Sequence, residues 1–188
     1  MNGKLILVVG PSGSGKGTLV EHLQKTFPDL VYLRSYVTRP MRQGETEGGV
    51  YHFISRAEFE QCIKDNKFLE WAEYSGNLYG TALEDIENIL TQGKTALKEV
   101  EVQGARQLKK KFPPDVLKII FITTDSWGSL VKRVLARAPM TPEDVERRRL
   151  RYEDEMTFKP EADFIIENQE GMLADAKEKI VSIVQSLR

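Results

Sequence analysis

The stretch Gly10-Pro11-Ser12-Gly13-Ser14-Gly15-Lys16-Gly17-Thr18 decides how the rest of the chain is read. Gly10 to Lys16 fits the pattern G-x-x-x-x-G-K. In such a loop the glycines let backbone N–H groups converge on phosphate oxygens, and the lysine reaches the outer phosphates. The flanks are those the loop requires. Lys4 to Val9 (KLILVV) is an unbroken apolar run, as in a parallel strand buried on both faces. From Lys16 to Thr26 the spacing of Leu19, Leu23 and Phe27 predicts a helix that Pro28 ends. The N-terminus of that helix adds positive potential at the loop. Pro11, Ser12, Gly13, Ser14, Gly15, Lys16, Gly17 and Thr18 are therefore candidate ATP-binding residues, with Lys16 also a catalytic candidate. One position departs from the pattern. A Ser or Thr that would hold Mg²⁺ is expected after the lysine, and Gly17 stands there instead. The hydroxyl arrives one residue later, which makes Thr18 a candidate metal ligand beside phosphates, waters and an acidic residue at a neighbouring strand end.

Working outward, further strands are expected at Thr95 to Val100, Leu117 to Ile122 and Asp163 to Ile166. Helices separate them: one opened by a capping box at Thr81-Ala82-Leu83-Glu84, one over Gly104 to Phe112, one over Trp127 to Arg137, a long one opened by Thr141-Pro142, and one over Met172 to Leu187. Strands alternating with helices predict a parallel sheet covered on both faces. Val31 to Thr81 has a different texture, with alternating aromatic and polar residues and a Gly/Glu-rich loop from Gln43 to Gly49. It reads as an inserted, mostly antiparallel lobe with one helix, opened by the capping box Ser55-Arg56-Ala57-Glu58.

The 188 residues suit one compact domain, and a net charge of −1 supplies no global basic field for nucleic acid or an anionic membrane. Phosphate binding must then come from locally placed arginines and lysines. The one cysteine, Cys62, rules out an internal disulfide and reads as a small core residue. No run approaches the ~18 apolar residues of a membrane span, and the N-terminus lacks the pattern of a secretion signal, so a cytoplasmic setting is expected.

Ser35-Tyr36-Val37-Thr38-Arg39-Pro40-Met41-Arg42 sets two arginines beside a hydroxyl cluster, with Tyr51 close behind. Guanidinium forks match the oxygens of a dianionic phosphate. This string, followed by Gly48 and Tyr51-His52-Phe53, resembles the guanylate kinases, a family of P-loop nucleoside monophosphate kinases. The likeness continues through Phe68-Leu69-Glu70-Trp71-Ala72, Gly76-Asn77-Leu78-Tyr79-Gly80-Thr81 and Val102-Gln103-Gly104-Ala105, in order over almost the whole chain.

The resemblance implies an α/β fold of the P-loop NTPase type. It has a five-stranded parallel core sheet flanked by helices (about 1–34, 82–137 and 150–188), an inserted mixed α/β NMP-binding lobe (about 35–81) and a small lid (about 138–149). It implies ATP-dependent phosphorylation of GMP, and of dGMP, with Mg²⁺. Arg39, Arg42, Tyr51 and Tyr79 would hold the GMP phosphate, and Ser35, Glu70 and Thr81 would read the guanine. Arg137 and Arg149 would contact the transferring phosphoryl group, with Arg133 a third candidate and Arg147 and Arg148 an ordinary basic face. Where the family shows Asp-x-Asp, this chain reads Glu99-Val100-Glu101. Glu99 is then expected on the Mg²⁺ side and Glu101 at the guanine amine, and Lys98 stands where an apolar strand residue is usual. The longer carboxylates leave room for another acceptor on the same scaffold, a different nucleotide or a sugar phosphate. Some guanylate-kinase-like domains bind phosphopeptides without catalysis, but Lys16 and the lid arginines favour the enzyme. The expected partner is a small-molecule substrate, with a monomer and a homodimer equally compatible.

Overall fold

Leu5 to Val9 are wholly buried because β1 (Lys4–Val9) is the middle strand of a five-stranded parallel sheet. A computed structural model shows this arrangement and describes residues 3–49, 51–136 and 139–188. The strand order is β2 (Val31–Tyr32), β7 (Thr95–Glu99), β1, β8 (Leu117–Thr123) and β9 (Phe164–Glu167), every pairing parallel. The period-2 alternation of β1 divides the core. Leu5, Leu7 and Val9 pack with Ile86 and Leu90 of α3 (Leu83–Thr91) and Ala105 and Leu108 of α4 (Val102–Lys111). Ile6 and Val8 face Leu19 and Leu23 of α1 (Lys16–Thr26) and Ile180 and Val184 of α7 (Leu173–Leu187). Strand order reverses at β1, so the loop leaving its carboxyl end opens where a ligand crevice is expected in an open α/β sheet.

The second sheet has four strands in the order β4 (Tyr51–Phe53), β3 (Ser35–Val37), β6 (Asn77–Ala82) and β5 (Phe68–Tyr74). β3 and β5 run antiparallel to β6, while β3 and β4 are parallel. Helix α2 (Arg56–Lys64) covers it, with the Phe59 and Phe68 rings 4.3 Å apart. The Ser55–Glu58 capping box forms as expected. The one expected at Thr81 does not. β6 continues to Ala82, which is the N-cap of α3 without a side-chain bond, and the Thr81 hydroxyl bonds across to Glu70 instead.

The lobe is tied to the core by Gln107 Nε2, which donates to the Trp71 carbonyl at 2.8 Å, and by Lys111 Nζ, which donates to that of Leu69. Helix α5 is Trp127–Leu135, shorter than its expected end at Arg137, which lies outside the described residues. Thr141 caps α6 (Pro142–Met156) by accepting from the Asp144 N–H, with Pro142 at its start. Among the described residues no helix is long and apolar enough to cross a membrane.

Candidate active site

A cleft of about 770 Å³ separates the phosphate loop from the second sheet, with Arg148 of α6 at its rim. At Gly10 and Gly15 the loop has no room for a side chain. Gly10 has φ 142°, and a Cβ there would sit 2.0 Å from the Ile122 carbonyl oxygen. Gly15 has φ 96°, and a Cβ would lie 2.3 Å from Asn168 Nδ2, which donates to the Ser14 carbonyl at 2.8 Å. The loop is thus clamped against the end of β9. Arg133 belongs to this clamp: its Nη2 donates to the Asn168 carbonyl at 2.7 Å.

Lys16 is folded back onto its own loop. Its Nζ donates to the Gly10 carbonyl at 2.6 Å and the Pro11 carbonyl at 3.2 Å, and stands 3.9 Å from Glu99 Oε1. Glu99, at the end of β7, also faces the start of α1: a Cβ on Gly17 would be 3.9 Å from its Oε2. Gly17 and Thr18 are exposed and line the cleft with Glu99. No group of three acidic, histidine or cysteine side chains that could hold a metal forms among the described residues. An oxygen-only site of one carboxylate and a neighbouring hydroxyl suits Mg²⁺, which keeps several waters and shares substrate phosphates.

Beside Lys16, Glu101 meets Glu155, the one buried residue of α6. Burial first, then the charge of Glu101, pushes the Glu155 carboxyl up to about 7. Burial also raises Glu101, against the pull of Lys16. Sequence reading missed Glu155 because its face of α6 carries no apolar stripe.

On the lobe side, Arg39 is buried, with its guanidinium carbon 5.0 Å from the centre of the Tyr51 ring and 5.4 Å from that of Phe53. It makes a two-pronged pair with Glu45, both contacts at 2.6 Å. Glu45 also accepts from the Arg42 N–H at 2.7 Å, and the hydrogen bonds from Arg39 above all hold its carboxyl down at about 2. The Tyr51 and Tyr79 rings lie edge to face, 6.0 Å apart. Burial and the Glu99 charge raise the Tyr51 phenol to about 12, so it stays a donor. Arg39, Arg42, Tyr51 and Tyr79 thus line one cleft, with Glu45 an unforeseen member.

The back wall comes from β5, β3 and β7. A bulge between Phe68 and Glu70 puts Phe68, Leu69 and Glu70 all inside, so Glu70 is 4% exposed. Thr81 donates to Glu70 Oε1. Gly104 leaves room for the other oxygen, since a Cβ there would come within 2.6 Å of Oε2. Ser35 and Glu70 both line the cleft, with buried Lys98 behind Ser35. Burial pushes the Lys98 ammonium pKa down, while the charges of Glu70, Glu99 and Asp85 push it back up.

On the rim, Arg148 lines the cleft with Nη1 3.3 Å from Ser12 Oγ. Arg149 does not reach it: the side chain is exposed and engaged by Glu146 and Glu153 along its own helix. Helical geometry explains the difference, because one residue turns a side chain by about 100°. Arg147 is likewise exposed, paired with Asp144. Arg151 reaches across to the lobe, donating to Ser75 Oγ at 2.9 Å and covering the Tyr74 ring.

The guanylate kinase family model matches residues 2–187 of this chain. A guanylate kinase of Helicobacter hepaticus is 39% identical over 99% of this chain and 92% of its own length. One of Rubrobacter xylanophilus is 39% identical over 98% of this chain and 95% of its own. Among solved structures, the guanylate kinase of Anaplasma phagocytophilum superposes with a TM-score of 0.75 at 25% identity, covering 98% of this chain and 85% of that one.

Proposed function

The chain belongs to the guanylate kinase family, and from that premise we propose that it transfers the γ-phosphoryl group of ATP to a phosphate oxygen of GMP, giving ADP and GDP. The observation that carries the reading is the shared cleft. A Lys-bearing phosphate loop forms one wall, and a buried arginine and a buried carboxylate, Glu70, form the other. The loop backbone from Pro11 to Gly17, with Lys16 and Thr18, takes the ATP phosphates. Arg39, Arg42, Tyr51 and Tyr79 take the acceptor phosphate. Glu70 accepts from guanine N1–H and the 2-amino group, a pairing that adenine, lacking N1–H, does not offer. None of these contacts calls on the 2′-hydroxyl, so dGMP is included.

Transfer of this kind asks the protein mainly to position two phosphates in line and to stabilise spreading charge. Lys16, Arg39 and Arg148 supply that charge from three sides; Arg137, outside the described residues, remains a fourth. Arg149 joins this set only if α6 turns. Glu99, with Thr18, would hold Mg²⁺, whose role when bound is to neutralise phosphate charge. Glu101, engaged with Glu155 beside Lys16, supports the loop side of the cleft more than the base. The segment around 138–149 is proposed as the closing lid and the four-stranded sheet as the NMP lobe. A free Cys62 fits a cytoplasmic setting.

The test is product identification. Incubation with Mg-ATP and GMP should yield GDP and ADP in equal amounts. ATP binding without GMP-dependent ADP release would overturn the proposal.

A further inference from the structure

Lys98 is the one charged residue buried in the core strands, 1% exposed and paired in register with Leu7 of β1. Taking a cation out of water is costly, whereas a well-packed apolar residue at the same place is stabilising. It has no ion-pair partner within 4.0 Å among the described residues. Its one hydrogen bond among them runs to Ser35 Oγ at 2.7 Å. Lys98 does not line the cleft, whereas Ser35 does.

Donor and acceptor chemistry gives that bond a direction. An ammonium has only N–H donors, so Ser35 Oγ must accept from it, and the Ser35 O–H is left to donate elsewhere. On the same wall, Thr81 donates to Glu70 Oε1, and Glu70 presents acceptors only. The wall therefore presents the Ser35 O–H, free to donate, beside Glu70, which accepts only. A 6-oxo purine matches that pair with its O6 and N1–H. A 6-amino purine would set its amine against the Ser35 proton.

We propose that Lys98 is a positioning residue for base selection: by occupying one of the two Ser35 lone pairs it turns the Ser35 hydroxyl toward donating and makes the pocket favour a 6-oxo purine. The inference rests on the GMP-kinase reading and deepens it.

The experiment compares Lys98→Met and Lys98→Leu with the wild type on GMP, IMP and 2-aminopurine riboside 5′-monophosphate, which lacks O6. Both variants should lower kcat/KM about tenfold for GMP and IMP alike, mainly through KM, and leave the 2-aminopurine nucleotide within twofold, the scale of one oriented hydrogen bond. Combined with Ser35→Ala, Lys98→Met should add nothing further on GMP. Removing the buried charge should leave the thermal midpoint equal or higher, which separates selectivity from folding. An equal loss on all three substrates, or additive effects of the two substitutions, would overturn this inference alone. A wild-type chain inert toward GMP would overturn it together with the reading beneath it.

Discussion

Arg39 and Glu45 meet head-on, Nη1 to Oε2 and Nη2 to Oε1, both at 2.6 Å. The fork holds a buried guanidinium flat between Tyr51 and the loop that also carries Arg42. Glu45, with its carboxyl held down at about 2, stays ionised at any pH where the enzyme would work. The pair thus presets the geometry that an acceptor phosphate meets. A lysine keeps the charge and loses the planar fork. Arg39→Lys is expected to lower kcat/KM for GMP by roughly 10²-fold with little change in KM for ATP. Steady-state kinetics with each substrate varied in turn checks this, and a loss under threefold would contradict it.

The rim arginines give a second prediction. Arg148 reaches Ser12 of the phosphate loop, and Arg149 is engaged by Glu146 and Glu153. Arg148→Ala should lower kcat by about 10²-fold, the usual scale for one group stabilising developing charge, and Arg149→Ala by less than about threefold. Equal effects would show that α6 rotates before chemistry.

A third concerns pH. The Glu155 carboxyl titrates near 7 in the folded chain, above its ordinary 4.5. Between those values the folded protein holds a proton that the unfolded chain has released, so stability falls as pH rises through the window and levels off above it. Glu155→Gln removes this titrating group, leaving Glu101 raised by its own burial and the charge of Glu99. Its thermal midpoint should change less than that of the wild type between about pH 5 and about pH 8. Parallel curves for the two proteins would show that the carboxyl pair does not titrate there.

Gly104 supplies the fourth. A methyl group there would press on Glu70 Oε2 and Val100 Cγ2, each 2.6 Å away. Gly104→Ala should therefore raise KM for GMP at least fivefold, on the order of a misplaced hydrogen bond, while KM for ATP holds. Calorimetric titration of each nucleotide separates this from a general loss of fold.

Much of this molecule is legible in its sequence, because the strongest signals are periodic. KLILVV, followed by a glycine loop and an amphipathic helix, specifies β1, the loop and α1 with nearly their observed ends. The acceptor-side residues were legible as a string because β3, β4 and β6 lie side by side in one small sheet. What escaped depends on rotation and on contacts distant in sequence. In the run Arg147-Arg148-Arg149, α6 has no apolar stripe to set its phase. The phase shows only in the buried Glu155, two turns after Arg148 and on the same face. The bulge that turns Glu70 inward needs its partner strand, and the Thr81 hydroxyl is taken by that same carboxylate and not by a helix cap. Lys98 stood out as a charge in a strand, but its meaning came only with Ser35, reached across the two sheets.

The central claim is that one cleft joins ATP to a guanine nucleotide. The most direct measurement is kcat/KM with Mg-ATP across GMP, dGMP, AMP, UMP and CMP in one coupled assay. The account predicts GMP and dGMP ahead of AMP by at least about 10³-fold, because an unmatched buried Glu70 penalises adenine. Turnover of AMP, UMP or CMP equal to or better than that of GMP would contradict it.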